Sequence, residues 1–261
     1  MRPLSRLLLL GAAAALIAAP SAFAASTLTA SVSPNKAGTV VQGNAVGFKL
    51  TGAFPDTPSD QTGNLQLQSI ATKLPPALLF NPIPFSYCVG DPVAKTGFFA
   101  TNTCPSSSKL GSATVIADGG TVGPITATTD LYFGAGYAVF ARVRASQPAV
   151  IDQAVQAKLQ SSGTNGYGLE LYIPIPQELR QPIAGSAIYP TVKSVTATVS
   201  ALTKSVKVKG TKGKVKVPLV GLGPCPSGGK LPFEMDVNYT DAGGLNTVKT
   251  DVAKSTASCK K

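Results

Sequence analysis

Hydrophobic and polar residues alternate along much of the chain with a period of two residues. The clearest alternating segments are residues 27–32, 65–68, 113–117, 139–145, 194–201 and 233–240. A period of two is typical of β-strands that bury one face, and many short strands between turns are typical of β-sandwiches. The pattern predicts an all-β protein of about a dozen strands, arranged as an immunoglobulin-like or jelly-roll-type β-sandwich or as two β lobes.

One segment departs from this pattern and indicates a helix. Within residues 149–160, Ile151, Val155 and Leu159 recur at intervals of four, which would place them in one apolar stripe on a helix. A proline precedes the segment and a glycine follows it, as suits the two ends of a helix. We predict one short accessory α-helix here, packed at the edge of a sheet. The surrounding residues 146–168 are also where the domain could divide.

The N-terminus has the organisation of a secretory signal peptide, residues 1–24. Arg2 and Arg6 precede an apolar run at residues 7–19, and a small-x-small cleavage motif follows. An uncleaved membrane anchor is the alternative, but the run is short for a bilayer span. We expect a secreted, extracellular protein with no transmembrane span after cleavage, released or held peripherally at the cell envelope. Its β-sandwich domain would cover residues 25–261.

The charge balance bears on the partners of such a protein. The formal net charge is +11 at pH 7, and the chain contains no histidine. An excess of positive charge favours anionic partners, such as cell-wall polymers or lipid headgroups. Nucleic acid has the same attraction, but export would separate the protein from it. The sequence leaves the oligomeric state open.

The four cysteines are expected to form two disulfides, because exported proteins use cysteine in this way. Four cysteines allow three pairings. We favour Cys88–Cys104 and Cys225–Cys259, since each pair closes a local loop beside a Cys-Pro turn. A metal site is the rival interpretation, but the chain has neither a C-x-x-C motif nor a histidine.

The region around the first cysteine pair also carries a resemblance. Residues 74–82 read LPPALLFNP, Cys88 follows, and residues 104–113 read CPSSSKLGSA. This pattern resembles a group of secreted proteins of Gram-positive actinobacterial type, whose later half often ends with a Cys-Pro turn, an alternating strand and a last cysteine. Here that tail would begin at Cys225 and end at Cys259. The resemblance covers most of the chain and implies secretion and an all-β fold, but no substrate.

The densest charge lies in residues 204–217, which read KSVKVKGTKGKVKV. The alternation predicts a hairpin with valines on one face and lysines on the other. The predicted register places Lys209 opposite Lys214 and Lys207 opposite Lys216, and like charges directly across a strand pair repel. If the protein has a functional surface, we expect it to be this hairpin in contact with an anionic wall polymer or lipid surface, and its candidate residues are Lys207, Lys209, Lys212, Lys214 and Lys216.

Two other interpretations of this hairpin stay open. Lysines on a solvated edge strand block edge-to-edge aggregation and need no ligand. Alternatively, Glu234 and Asp236 on the polar face of a nearby strand could neutralise part of the lysine charge. No aromatic residue interleaves the lysines, so the segment does not support stacking on bases or sugars.

Catalytic chemistry is limited by what the chain lacks. Without histidine there is no Ser-His-Asp triad, Cys-His dyad or histidine-based zinc site. An S-x-x-K motif at residues 106–109 and K-T-G at 95–97 stand in the wrong order for a penicillin-recognising enzyme. The alternative is a carboxylate-dependent hydrolase of extracellular polysaccharide, but the alternation places Glu234 and Asp236 on a solvated face. We predict a non-catalytic binding or structural protein without metal or cofactor.

Overall fold

A computed structural model describes residues 25–39, 43–54, 65–88, 104–148, 150–181, 189–207, 213–241 and 246–261. The predicted signal peptide lies outside these residues, and so do Lys209 and Lys212. The all-β prediction is confirmed, since almost all regular structure consists of strands. The strands are β1 (Thr27–Ser33), β2 (Asn44–Ala45), β3 (Gly47–Ala53), β4 (Gln66–Leu74), β5 (Leu78–Phe80), β6 (Lys109–Asp118), β7 (Pro124–Phe133), β8 (Ala138–Ala145), β9 (Ile151–Ser161), β10 (Leu169–Pro174), β11 (Thr191–Val199), β12 (Thr203–Lys207), β13 (Lys214–Pro218), β14 (Val220–Leu222), β15 (Lys230–Thr240) and β16 (Lys249–Ser258).

Eleven of these strands form one antiparallel sheet in the order β1-β3-β11-β6-β7-β8-β9-β10-β4-β15-β16. The sheet curls until its edge strands β1 and β16 lie against each other. The Ala30 N–H donates to Ser255 Oγ at 3.1 Å, and Asn35 Nδ2 donates to Ser258 Oγ at 2.8 Å. The inward faces of the strands oppose one another across the curled sheet. Alternate side chains of each strand are therefore buried in the interior between them.

The two ends of the curled sheet differ. At the end where β1 and β4 finish and β3 begins, a three-stranded sheet in the order β2-β14-β5 lies across the strands, and we call this the capped end. Val46, Leu219 and Leu222 of this cap are buried. At the opposite end, the helix end, β10 leads into α1 (Gln177–Arg180), the single α-helix of the described residues. In the part of the chain that the structure describes, no helix has the length and hydrophobicity that a bilayer span requires.

The predicted position of the accessory helix is wrong. Residues 151–161 form β9, which pairs with β8 on one side and β10 on the other. Ile151, Val155 and Leu159 do share a buried face, because a spacing of four is also a multiple of the strand period of two. Two neighbouring strands provide hydrogen bonds along the segment, and this tertiary context overrides the helix-like spacing. Within the ranges of the chain that the structure describes, the one short α-helix is α1.

Buried side chains form apolar clusters inside the curled sheet. The largest includes Leu231, Phe233 and Val237 of β15, whose side chains are fully buried, together with inward residues of β1, β4 and β16. A second cluster joins Ile125 of β7 and Ile151 of β9 near the helix end. The outward face of β7 to β9 is charged, since Arg142 Nη2 lies 2.6 Å from Asp152 Oδ2.

The predicted disulfides, Cys88–Cys104 and Cys225–Cys259, are both formed, with Cα–Cα distances of 4.2 Å and 5.6 Å. Both lie at the capped end. The Cys88 N–H donates to the Phe133 carbonyl where β7 finishes, and the Cys259 N–H donates to the Gly229 carbonyl just before β15. The second disulfide therefore closes the open side of the β15–β16 hairpin.

Candidate functional site

The lysine-rich hairpin is present as β12 and β13, but the predicted register is wrong by two residues. Lys207 lies opposite Lys214, and Ser205 lies opposite Lys216. A shift of two keeps every side chain on its original face, so the pattern alone cannot distinguish the two registers. The unfavourable apposition of like charges remains, now between Lys207 and Lys214.

Lysines beyond the hairpin collect at the same end of the molecule. The hairpin leaves the end of β11 and returns into β14 of the cap, while Lys36 pairs with Lys260 in a short parallel bridge and Lys230 opens β15. We define the lysine-rich end as the exposed lysines of the hairpin and of the connections at the capped end, together with Lys230 at the first position of β15. They are Lys36, Lys204, Lys207, Lys214, Lys216, Lys230, Lys260 and Lys261.

Carboxylates are absent from the described connections of this end. Residues 33–39, 75–88, 104–108, 200–207 and 213–229 include no Asp or Glu. On the strands of the main sheet, by contrast, a carboxylate lies within 4.0 Å of most described basic side chains, as for Lys73, Lys109, Arg142, Arg144, Lys193, Lys249 and Lys254. The lysine-rich end therefore carries a concentrated positive charge that the described part of the chain does not balance locally.

Glu234 and Asp236 do not neutralise the hairpin. Lys73 of β4 lies between them, with Nζ 2.6 Å from Glu234 Oε1 and 2.8 Å from Asp236 Oδ2. Lys254 of β16 contacts the other oxygen of Glu234 at 3.0 Å, and the Tyr167 hydroxyl donates to that oxygen at 3.3 Å. We call these five residues the ion cluster.

The predicted solvated face is also wrong, since Lys73 and Glu234 are only 8% and 6% exposed. The alternation placed Glu234 and Asp236 on the outer face of the sheet correctly. What it missed is that neighbouring side chains, including Tyr167 and Lys254, cover that face. A side chain can point away from the core and still be buried when long residues from adjacent strands fold over it.

The ion cluster shifts the ionisation of its members. The hydrogen bond from Lys73 lowers the pKa of Glu234, although burial acts in the opposite direction. For Lys73, burial lowers the pKa, but the hydrogen bonds to Asp236 and Glu234 outweigh it and raise the pKa overall. Burial raises the pKa of the Tyr167 hydroxyl, and the charge of Glu234 adds to this effect. These shifts keep Lys73 and Glu234 charged and Tyr167 neutral at neutral pH.

This arrangement does not suit the hydrolase alternative. A glycosidase acid needs a carboxyl group with a raised pKa, and the partner carboxylate needs access to substrate or water. Glu234 has a lowered pKa, and Lys73 holds an oxygen of each carboxylate. The cluster joins β4, β15 and β16 electrostatically and supports a structural role.

We expect acid to weaken this contribution to stability. Because the folded pKa of Glu234 lies below its ordinary value of 4.5, the stabilisation is fully present above about pH 4.5 and is lost as pH falls through the folded pKa. For Lys73 the sign is reversed, so its contribution is complete below its ordinary value of 10.5 and is lost only in stronger alkali. Urea unfolding should show a smaller loss of stability between about pH 6 and pH 3 for Glu234→Gln than for the unaltered protein. Equal losses would show that Glu234 does not govern the acid response.

The second candidate site is an apolar cavity inside the curled sheet, with a volume of 260 Å³. Its described lining residues come from all the long strands of the main sheet except β16, together with the cap and α1. They include no charged side chain, and the hydroxyls of Thr72 and Thr129 are the polar groups among them. Small side chains leave this volume unfilled. The inward positions include Ala113, Ala117, Ala127, Ala141, Ala157 and Ala197.

The pattern of hydrophobic and polar residues did not predict this cavity. Alternation identifies which side chains point inward, but not whether they fill the enclosed volume. A curled sheet of many strands encloses more space than one of few strands, so small inward residues leave it open. The repeated alanines at inward positions of β6, β8 and β11 are the signal that could have indicated it.

Comparison of the chain with models of protein families, with curated proteins and with solved structures finds no match. The lysine-rich end, the ion cluster and the cavity are therefore the features of the molecule that bear on its function.

Proposed function

We propose that this is an exported, non-catalytic binding protein of the cell envelope that attaches to a phosphate-rich anionic surface through its lysine-rich end. The observation that carries the proposal is the segregation of charge. Exposed lysines gather at the capped end, and the described connections of that end contain no carboxylate. Two disulfides support the export part, because such bonds form in oxidising compartments.

The shape of the hairpin suits contact with a surface. Lys204, Lys207, Lys214 and Lys216 are all exposed, and none has a carboxylate within ion-pair distance among the described residues. The apposed pair Lys207 and Lys214 repel each other in the free protein. An anionic phosphate between them would relieve that repulsion. The free energy of binding would then include the repulsion that is removed. Edge protection alone would not require the additional lysines of the capped end.

The phosphate could come from lipid headgroups or from a wall polymer such as poly(glycerol phosphate). We expect binding to phosphatidylglycerol vesicles that weakens as salt rises, because exposed charges are screened over a Debye length. Each lysine near an anionic membrane contributes about 1 kcal/mol, so the double variant Lys207→Gln with Lys214→Gln should bind roughly 30-fold more weakly. Vesicle co-sedimentation over a salt series measures both effects.

The matched control is Lys193→Gln with Lys249→Gln. It removes the same charge from half-exposed lysines at the starts of β11 and β16, which lie at the helix end, and should change binding little. Competition with soluble poly(glycerol phosphate) distinguishes the two sources of phosphate, since a wall-binding protein would leave the vesicles. Equal weakening by both double variants would contradict the proposal, because only net charge would then matter. Binding to neither anionic material would also contradict it.

A further inference from the structure

We infer that the interior cavity binds a single hydrocarbon chain, such as the acyl chain of a lipid. This inference goes beyond surface attachment and rests on a separate part of the molecule. The cavity has a volume of 260 Å³ and is bounded by inward residues from strands around the sheet. A water-sized void is common in proteins, but interiors otherwise pack as densely as organic crystals.

The chemistry of the lining defines the ligand class. Apart from Thr72 and Thr129, the described lining consists of aliphatic, phenylalanine, methionine, proline and glycine residues. No charged group could pair there with an ion, and burying an unpaired charge is strongly unfavourable. The part of the ligand that enters must therefore be uncharged and largely apolar. Polar substrates such as sugars or nucleotides do not fit this lining.

The size and shape favour a chain over a compact molecule. An apolar cavity of about 150 Å³ stays dry and takes up benzene, so a space of 260 Å³ admits more than one ring. On β6 alone the lining runs from Leu110 to Ala117, which spans about 23 Å along the strand. At the helix end Leu179 continues the lining, and at the capped end Val220 does so. The volume is drawn out along the sheet rather than gathered in one pocket.

Two inward alanines are partly exposed to the cavity. Ala141 of β8 and Ala197 of β11 face the cavity but are only partly buried. In a filled interior, side chains at such positions would be fully buried, as Phe233 and Val237 are. The partial exposure therefore reports free space beside them.

Thr129 adds a polar feature halfway along the cavity. Thr129 is 5% exposed, and its hydroxyl has no hydrogen-bond partner among the described residues. Thr129 lies opposite Ala113 on β6 and Val143 on β8, near the middle of the sheet. A buried hydroxyl without a partner destabilises the free protein. A chain that carries a hydroxyl or carbonyl partway along its length would satisfy Thr129.

The test uses the whole exported protein and cis-parinaric acid, which becomes fluorescent when its chain enters an apolar site. We expect saturable fluorescence with the unaltered protein. Ala141→Leu should fill the space and weaken binding at least about tenfold, while the midpoint of thermal unfolding stays equal or rises because cavity filling commonly stabilises proteins. Ala197→Leu is the second filling variant if the first fails to fold. Thr114→Leu, which adds the same side chain on the outward face of β6, is the matched control and should bind normally.

Additional variants and competing fatty acids, measured in the same fluorescence assay, distinguish binding in the cavity from attachment through the lysine-rich end. Lys207→Gln with Lys214→Gln should leave cis-parinaric acid binding unchanged, since the hairpin does not line the cavity. Ricinoleate should displace the probe up to roughly tenfold better than oleate, and Thr129→Val should remove the difference. The absence of saturable binding, or equal affinity of both filling variants and the unaltered protein, would overturn the inference. Equal displacement by the two fatty acids would overturn the hydrogen bond assigned to Thr129.

Discussion

Removing the Cys225–Cys259 disulfide, by replacing both cysteines with alanine, is expected to lower the free energy of unfolding by about 4 kcal/mol. The two cysteines are 34 residues apart, and their bond restricts the unfolded chain by closing that loop. In the folded protein the bond joins the segment before β15 to the residue after β16. Equilibrium unfolding in urea, with the midpoint and the slope compared between proteins, measures the effect.

The Cys88–Cys104 disulfide provides the comparison. Its cysteines are 16 residues apart, so replacing this pair with alanine should lower the free energy of unfolding by about 3 kcal/mol. Each pair has one buried and one half-buried cysteine, so the loop length is the main difference between the two variants. A larger loss for the shorter loop would contradict the entropic account and would indicate that local packing around Cys88 dominates.

Replacing Lys73 with methionine is expected to lower the free energy of unfolding by about 2–3 kcal/mol. The change leaves Glu234 without its closest partner and Asp236 without its cation, and both carboxylates are largely covered. Fully enclosed pairs lose about 3–5 kcal/mol when one partner is removed, but the side chain of Asp236 is 25% exposed, and water reduces the penalty. Urea unfolding at neutral pH measures the loss.

Two further variants separate the lost ion pair from lost packing. Lys73→Met combined with Glu234→Gln and Asp236→Asn should recover much of the stability, because no unpaired charge remains. Lys254→Met removes the exposed lysine of the ion cluster and should change stability little. If Lys73→Met destabilises no more than Lys254→Met, the ion cluster does not stabilise the contact between β4 and β15.

Much of the strand placement could be predicted because alternation is a local property. The predicted alternating segments correspond to β1, β4, β6, β8, β11 and β15. The error at β9 has a physical cause, since Ile151, Val155 and Leu159 satisfy both the helical and the strand spacing. The predicted register of the hairpin was wrong for a related reason, because a shift of two residues leaves every lysine and valine on its original face. In both cases the deciding contacts come from other strands.

The candidate sites also combine residues that the sequence pattern identified with residues that only the fold brings together. The hairpin lysines were visible in the sequence, whereas Lys36, Lys230 and Lys260 join them only because distant strands finish at the same end. The pairing of Lys73 with Glu234 joins residues 161 positions apart. The cavity depends on the inward residues of many strands at once, so no single segment could indicate it.

By itself, the sequence determined the all-β class and the absence of histidine-based chemistry, because these follow from local alternation and composition, and it favoured the cysteine pairs that are formed because each closes a short loop. Only the tertiary structure decided that an outward-facing carboxylate would be buried, that lysines from separate segments would share one end, and that inward alanines would leave a cavity. The physical reason is that burial, net local charge and free volume are sums over residues that are distant in the chain, and the order of strands in the sheet sets those sums.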